Sequence, residues 1–353
     1  MPLIAVNDQG DSLFYEESGP PAKTGDLYTT LIIVHGTAFH GECFRRLLPL
    51  APQHQIRLVL VNRRDYPGST PYTEEDLEKI RVDNAETHDQ FAKARAVEFA
   101  QFIKTFVENE DVPKASSDWK RGGVVLLAWS SGNSYTLPLL SYIDAIPIDT
   151  REIISQYLRS HVMFDAPRWI LGLPSNTAGF GVLTDKTLSL EERANSFSEW
   201  VSSYYTHKSL TSRKFEDLQV YPVEGPGSKR STTSRMSPEE LRETTCYEAV
   251  ARSEIGARTG SPAIYAERIR RALFNDELAK YLPRCGVDVV WCENSIWACI
   301  DCMWGLQAAR EKADDQGIVG RPLRFFMMPG VNHFPHWDDP EMTIKFFADI
   351  ING

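Results

Sequence analysis

Short apolar runs alternate along the chain with longer segments in which apolar residues recur at helical spacing. The runs are four to six residues long and rich in β-branched residues, which is typical of strands buried on both faces of a sheet. They lie at 31–34, 56–61, 124–127, 161–164, 287–291 and 323–328. The turn residues Asp8–Asp11 add an N-terminal hairpin. Strands that alternate with helices predict an α/β fold with a doubly wound, mostly parallel sheet.

Helical spacing is clearest between residues 82 and 108, where apolar side chains recur among charged ones. The region from 168 to 283 has no strong strand pattern. It contains helical patterns at 190–205, 237–252 and 263–281, and a polar segment at 224–234 that we expect to be a mobile loop.

This change of pattern predicts the domain organisation. We expect residues 167–285 to form a helical cap that is inserted into an α/β domain. The two parts of that domain are residues 1–166 and 286–353.

Composition narrows the classes of partner. The chain has 353 residues, of which 42% are hydrophobic, and a formal net charge of -10. This acidity argues against binding to nucleic acid and to anionic membrane surfaces. The sequence pattern predicts neither a signal peptide nor a transmembrane run. We therefore expect a cytoplasmic protein with a small-molecule partner, and the sequence leaves a homodimer open.

The six cysteines are too scattered for a disulfide framework, so we expect free thiols. Cys299 and Cys302 have the spacing of half a zinc site, but they lie in a helical pattern without a second pair of ligands. The sequence therefore predicts neither a metal nor a cofactor.

The most informative motif follows the apolar run 124–127. It reads Ala128-Trp129-Ser130-Ser131-Gly132 and leads into a segment that can start a helix. A serine at such a strand-to-helix corner is lifted above the sheet edge, while the next backbone N–H and the helix N-terminus can stabilise an oxyanion. The alternative is an ordinary Ser-Ser-Gly turn after a strand.

A histidine follows the final apolar run. His333 lies in a glycine-containing loop, from which its side chain can reach the sheet edge and exchange a proton with Ser130. His336 is a competitor, but it follows Pro335 and is expected to pack or to cap a helix. The glycine in His35-Gly36-Thr37 lets the backbone turn over the sheet edge with its amides exposed.

Together these motifs resemble those of the α/β-hydrolase superfamily over nearly the whole chain. The matching segments are His35-Gly36, Arg64-Asp65-Tyr66-Pro67-Gly68-Ser69, the turn at Ser130, Gly330-x-x-His333-Phe334-Pro335 and Pro340-Glu341. The turn departs from Gly-x-Ser-x-Gly at Ala128, and Asn332 replaces a glycine common in the last motif. The resemblance implies Ser130 as nucleophile, His333 as base and an oxyanion hole at Gly36, Thr37 and Ser131.

The acidic member of the triad is open at this stage. Most members of the superfamily place it after the seventh strand, where Ser295 occupies the expected position and Glu293 lies two residues earlier. Other members, including fungal lactonases of the zearalenone-hydrolase type, place it after the sixth strand, where Asp165 is found. We favour Asp165 over Glu293, with Asp301 as a third candidate; Asp165 can also be a turn residue before Pro167.

The resemblance implies a serine hydrolase of carboxylic esters or lactones that forms an acyl-enzyme. Several aromatic residues could line a cleft for a bulky apolar substrate, notably Phe39, Trp169, Trp200 and Tyr204, although helical aromatics are more often part of the core. An acyltransferase, a lyase and a non-catalytic ligand-binding protein stay open as alternatives.

Overall fold

An eight-stranded sheet forms the centre of the computed structural model, which describes residues 2–22, 27–173, 182–223, 228–258 and 260–353. The strands are β1 (Leu3–Ala5), β2 (Ser12–Glu17), β3 (Thr29–Val34), β4 (Ile56–Val61), β5 (Val124–Trp129), β6 (Leu158–Phe164), β7 (Gly286–Cys292) and β8 (Leu323–Met328). Their order is β1-β2-β4-β3-β5-β6-β7-β8. The strands from β3 to β8 are mutually parallel, and β1 and β2 form the predicted antiparallel hairpin at one edge. The predicted α/β fold with a mostly parallel sheet is therefore confirmed.

Helices connect the strands. Those of the described residues are α1 (Glu74–Arg81), α2 (Ala85–Asn109), α3 (Asn133–Ser141), α4 (Ile148–Ile154), α5 (Leu190–Ser202), α6 (Pro238–Thr244), α7 (Tyr247–Ala249), α8 (Ile255–Ala257), α9 (Pro262–Leu273), α10 (Asp276–Ala279), α11 (Trp297–Asp315), α12 (Pro335–Asp338) and α13 (Pro340–Asn352). A π-helix, Val250–Glu254, joins α7 to α8. Two large apolar clusters, one on each face, cover the sheet, as a doubly wound fold requires.

The helical region between β6 and β7, residues 165–285, differs in detail from the sequence prediction. The pattern at 237–252 gives α6, an interruption, and then α7 with the π-helix. The interruption occurs because Thr245 is extended and forms an antiparallel bridge with Phe39. The pattern at 263–281 is also divided, because α9 ends at Leu273 and Asn275 caps the start of α10.

The boundaries of the inserted region stay a prediction. We call this region, residues 167–285, the helical insertion. The predicted loop at 224–234 includes residues 224–227, which lie outside the described residues. Within the described part of the chain, no helix combines the length and the apolar character needed to cross a bilayer.

Helix α2 packs against the sheet hairpin through large buried side chains, of which Phe106 is one. Phe106 is fully buried and makes an edge contact with Tyr15, with ring centroids 5.5 Å apart. We expect Phe106→Ala to lower the free energy of unfolding by about 3–5 kcal/mol because it leaves a cavity. Urea denaturation measures this loss. Ile148→Ala is the control, since Ile148 is 66% exposed; equal losses in the two variants would contradict the assignment of Phe106 to the core.

Candidate active site

The corner at Ser130 has the geometry of a tight strand-to-helix turn. Ser130 follows β5 directly and has φ of +53°, a conformation that is strained for a non-glycine residue. Asn133 holds the turn, because its side-chain amide donates to the carbonyl oxygens of Ala128 at 2.8 Å and of Ser130 at 2.9 Å. The serine is half-buried, so its hydroxyl can be reached from outside the sheet.

Two glycines let the chain pass close to this corner. A Cβ on Gly132 would lie 2.5 Å from the carbonyl oxygen of His35, and a Cβ on Gly36 would lie 2.8 Å from Cβ of Ser130. Both approaches are too close for any side chain. The turn at Ser130 and the loop after β3 therefore fit against each other only through these glycines.

Asp165 and His333 form a buried hydrogen-bonded pair. Nδ1 of His333 lies 2.6 Å from Oδ2 of Asp165, and both side chains are no more than 1% exposed. Since a carboxylate can only accept, Nδ1 carries the proton and Nε2 is left as the basic nitrogen. Two more donors fix the carboxylate: the hydroxyl of Ser295 and the backbone N–H of Cys292, the latter at 3.0 Å.

Ser130 and His333 lie at the same sheet edge but are not hydrogen-bonded. Trp129, which precedes Ser130, donates its indole N–H to the carbonyl oxygen of His333 at 3.1 Å, and the two rings are 4.8 Å apart. Nε2 of His333 is buried and has no hydrogen-bond partner among the described residues. The hydrogen bond between a nucleophile and its base often forms fully only when a substrate is bound.

The other acidic candidates have different partners. Glu293 accepts the backbone N–H of Gly330 at 2.7 Å. Asp301 forms an ion pair with Arg168. The structure thus brings Asp165, and neither of these two carboxylates, into contact with His333. His336 packs against Phe44 with ring centroids 3.9 Å apart, as expected of a packing residue.

The predicted oxyanion-hole residues meet beside Ser130. Thr37 Oγ1 donates to the hydroxyl of Ser131 at 2.8 Å, which joins the loop after β3 to the start of the helix behind Ser130. Ser131 lies in the short 3₁₀ turn Ser130–Gly132 that leads into α3, where backbone N–H groups carry partial positive charge. No described residue accepts a hydrogen bond from the backbone N–H of Thr37.

Cys299 adds a thiol to the Asp165 and His333 pair. Its Sγ lies 3.1 Å from the carbonyl oxygen of Asp165, and one ligand-type atom from each of these three residues lies within 4.8 Å of the others. Burial, and then the charge of Asp165, raise the thiol pKa well above its ordinary value. A protonated thiol that donates to a carbonyl suits a hydrogen-bond network better than a metal centre.

The four predicted substrate-binding aromatics have different environments. Phe39 is buried against Trp129 and Phe334, and Trp200 is also buried. The packing of Phe39 and Trp200 explains their burial without a bound ligand. Tyr204 donates its hydroxyl to Asp338 at 2.5 Å, and the half-buried Trp169 makes an edge contact with Tyr265. Contact of these four with a substrate stays a prediction.

Sequence reasoning missed several polar residues around the site. Ser295 was identified only as the usual position of the acid, and its hydrogen bond to Asp165 was not foreseen. Arg63 and Glu254 were not singled out at all; they meet beside the loop after β3 (residues 35–40), which we call the oxyanion loop. The one signal in the sequence was the motif Arg64-Asp65-Tyr66, which lies next to Arg63.

Comparisons with known proteins agree with this architecture. A sequence model described as the alpha/beta hydrolase family matches residues 31–346. No protein with a curated description matches the chain.

Solved structures with the same fold cover almost the whole chain. A thermophilic esterase from Thermogutta terrifontis has a TM-score of 0.53 at 13% identity, with 99% of this chain and 98% of that chain covered. A bromoperoxidase from Bacillus anthracis has a TM-score of 0.51 at 13% identity and 99% coverage of both chains. An esterase from a Rhodococcus species has a TM-score of 0.50 at 17% identity, with 100% and 99% covered. Identities this low show the fold alone.

The pairing of His333 with Asp165 can be observed directly. We expect the parent protein to show a downfield proton resonance from the Nδ1–H of His333, because this proton is buried in a short, charge-assisted hydrogen bond. The resonance should disappear in Asp165→Asn and persist in Glu293→Gln. One-dimensional proton NMR with ¹⁵N-labelled histidine measures it. Loss in Glu293→Gln alone would show that the pairing is wrong.

Proposed function

Since the chain belongs to the alpha/beta hydrolase family, we propose that it is a serine hydrolase that cleaves a carboxylic ester or lactone. In this proposal Ser130 is the nucleophile, His333 the general base and Asp165 the residue that orients the imidazole. The backbone N–H groups of Thr37 and Ser131 stabilise the oxyanion. Family membership supports hydrolysis in general, and the residues of the site are the reason for naming this reaction.

One observation carries the proposal. The hydrogen bond from His333 Nδ1 to Asp165 leaves Nε2 as a buried base without a described partner, at the sheet edge where the strained Ser130 turn stands. A neutral imidazole with its distal nitrogen free is the protonation state that a general base needs. His40, His161 and His336 are buried too and each also leaves one ring nitrogen without a described partner, so the buried carboxylate on Nδ1 is what distinguishes His333.

The proposed reaction has two steps. Nε2 of His333 takes the proton of Ser130 while Oγ attacks the substrate carbonyl, and the tetrahedral oxyanion accepts hydrogen bonds from the two backbone amides. The imidazolium then returns the proton to the leaving alkoxide as the carbon–oxygen bond breaks. Water, deprotonated by the same imidazole, hydrolyses the acyl-enzyme and restores Ser130.

The substrate class is proposed from two aromatic residues of the helical insertion and from the position of the acid. Half-buried Trp169 and Tyr204, both in the helical insertion, support a bulky, mostly apolar ligand. The position of Asp165 after β6 is shared with the lactonase-type members that the sequence resembles, which supports lactones alongside open-chain esters. In a lactone, the leaving alkoxide stays tethered to the acyl group through the ring carbons, so hydrolysis gives a single hydroxy acid.

The nucleophile can be tested by covalent labelling. We expect a fluorophosphonate probe to label the parent protein with one equivalent at Ser130, and Ser130→Ala to give neither labelling nor ester hydrolysis. Intact-mass measurement and peptide mapping report the site. Ser134→Ala, one helical turn further along α3, is the matched control and should label like the parent. Full labelling of Ser130→Ala would refute the assignment.

The acid can be tested by kinetics on p-nitrophenyl esters and macrocyclic lactones. We expect Asp165→Asn to lower kcat by about 10³–10⁴-fold, because the imidazole loses the acceptor that fixes its tautomer. Glu293→Gln should leave kcat within about threefold, since Glu293 contacts a backbone N–H and not the imidazole. A large loss of kcat in Glu293→Gln with none in Asp165→Asn would overturn the assignment of the acid.

A further inference from the structure

A buried ion pair joins the helical insertion to the sheet domain beside the oxyanion loop. Arg63, in the loop after β4, donates to Oε1 of Glu254, the last residue of the π-helix. Tyr66 donates its hydroxyl to the same oxygen. Arg63 and Glu254 are no more than 3% exposed. Burial opposes the charge of Arg63, but the Glu254 carboxylate, together with smaller contributions from Tyr66 and Tyr135, outweighs burial and raises the arginine pKa.

The two donors to Glu254 also hold the oxyanion loop, one on each side of Thr37. Nη2 of Arg63 donates to the carbonyl oxygen of Gly36 at 2.8 Å. The hydroxyl of Tyr66 accepts the backbone N–H of Ala38 at 3.0 Å. The carbonyl of Gly36 and the N–H of Thr37 belong to one planar peptide group, so fixing the carbonyl also fixes the direction of that N–H.

His35 reinforces the hold on the same carbonyl. Its Nε2 accepts the backbone N–H of Arg63 at 3.1 Å, so its Nδ1 carries the proton and donates to the carbonyl oxygen of Gly36 at 2.9 Å. Burial, and then the charge of Arg63, hold the pKa of His35 well below its ordinary value, which keeps the ring in this neutral form. The Gly36 carbonyl thus accepts two hydrogen bonds.

The insertion contacts this loop through its backbone as well. The N–H of Cys246 donates to the carbonyl oxygen of Ala38 at 2.8 Å, and the N–H of His40 donates to the carbonyl oxygen of Thr244 at 3.0 Å. Ala38 itself has φ of +66°, a strained conformation that needs support from its surroundings. The oxyanion loop is therefore built partly from the insertion.

We propose that Glu254 is a positioning residue of the oxyanion hole, which acts through Arg63 and Tyr66 on the peptide groups flanking Thr37. This inference rests on the proposed serine hydrolase activity. Glu254 touches neither Ser130 nor His333, so it is not a catalytic residue. The π-helix supports this role, because single-turn π-helices are uncommon and occur frequently at functional sites.

The expected kinetic effect follows from where the oxyanion hole acts. In Glu254→Gln the guanidinium of Arg63 loses its counter-charge and the amide oxygen is a weaker acceptor, so Arg63 and Tyr66 hold the Gly36–Thr37 peptide less firmly, although His35 still donates to the Gly36 carbonyl. The Thr37 N–H then stabilises the developing oxyanion less well, although the ground-state substrate is bound as before. We therefore expect Glu254→Gln to lower kcat by about 10–100-fold, with KM changed by less than about threefold.

The test compares Glu254→Gln with a matched buried carboxylate. Glu98→Gln removes the partner of buried Arg95, 2.6 Å away on helix α2, and of buried Arg64, 3.3 Å away, and neither arginine contacts the oxyanion loop. Both variants should lose thermal stability, but only Glu254→Gln should lose kcat and react more slowly with the fluorophosphonate. An equal fall of kcat in Glu98→Gln would reduce the effect to stability and overturn the proposal.

A second variant covers the case in which Glu254→Gln does not fold. Arg63→Met with Glu254→Met replaces the whole ion pair by apolar side chains of similar length, a change that folded proteins often tolerate. We expect this double variant to be labelled completely but slowly at Ser130, with the same loss of kcat. Parental kcat in either variant would overturn the positioning role alone. A parent protein without labelling at Ser130 would overturn the proposed activity and this inference with it.

Discussion

The register of the parallel strands is the constraint on which the site depends. β5 and β6 pair Trp129 with Phe164, so Ser130 and Asp165 are the residues that follow two directly paired positions. Each then turns with positive φ, +53° at Ser130 and +46° at Asp165, and leaves the sheet at the same edge. A slip of one residue in this pairing would send one of the two side chains to the opposite face. The apolar residues that lock β5 and β6 in the core therefore also fix the spacing of the polar groups beyond them.

Asp165, the carboxylate that follows β6, depends on hydrogen-bond donors from the turn after β7. Asp165 accepts from His333, from the hydroxyl of Ser295 and from the backbone N–H of Cys292. A fully buried carboxylate is costly unless its oxygens are satisfied, and these three donors satisfy them. The segment where most members of the superfamily carry the acid supplies donors here. The end of β6 thus provides the carboxylate and the turn after β7 provides donors, so one carboxylate lies beside the imidazole. A second carboxylate there would disfavour the charged form of both carboxylates.

The sequence predicted those parts of the structure that local patterns encode. Apolar runs located the parallel strands, and the motifs at Ser130 and His333 located two groups that lie at one edge. The sequence favoured Asp165 over Glu293 without deciding between them, because the decision depends on which carboxylate the fold brings to the imidazole. Local periodicity also missed the break at Thr245, since the bridge to Phe39 that causes it joins residues far apart in the chain.

The ion pair of Arg63 and Glu254 lay beyond sequence reasoning for the same reason, and its energetics favour a role other than stability. Removing a guanidinium and a carboxylate from water costs several kcal/mol per ion, and a buried pair repays that cost only with near-ideal geometry. Apolar residues of similar size would serve the packing at least as well. What apolar residues cannot do is donate to the Gly36 carbonyl, or hold a tyrosine hydroxyl against the N–H of Ala38. The role of the charged pair is therefore to orient the oxyanion loop. Through this loop the pair connects the helical insertion to the candidate active site at the sheet edge.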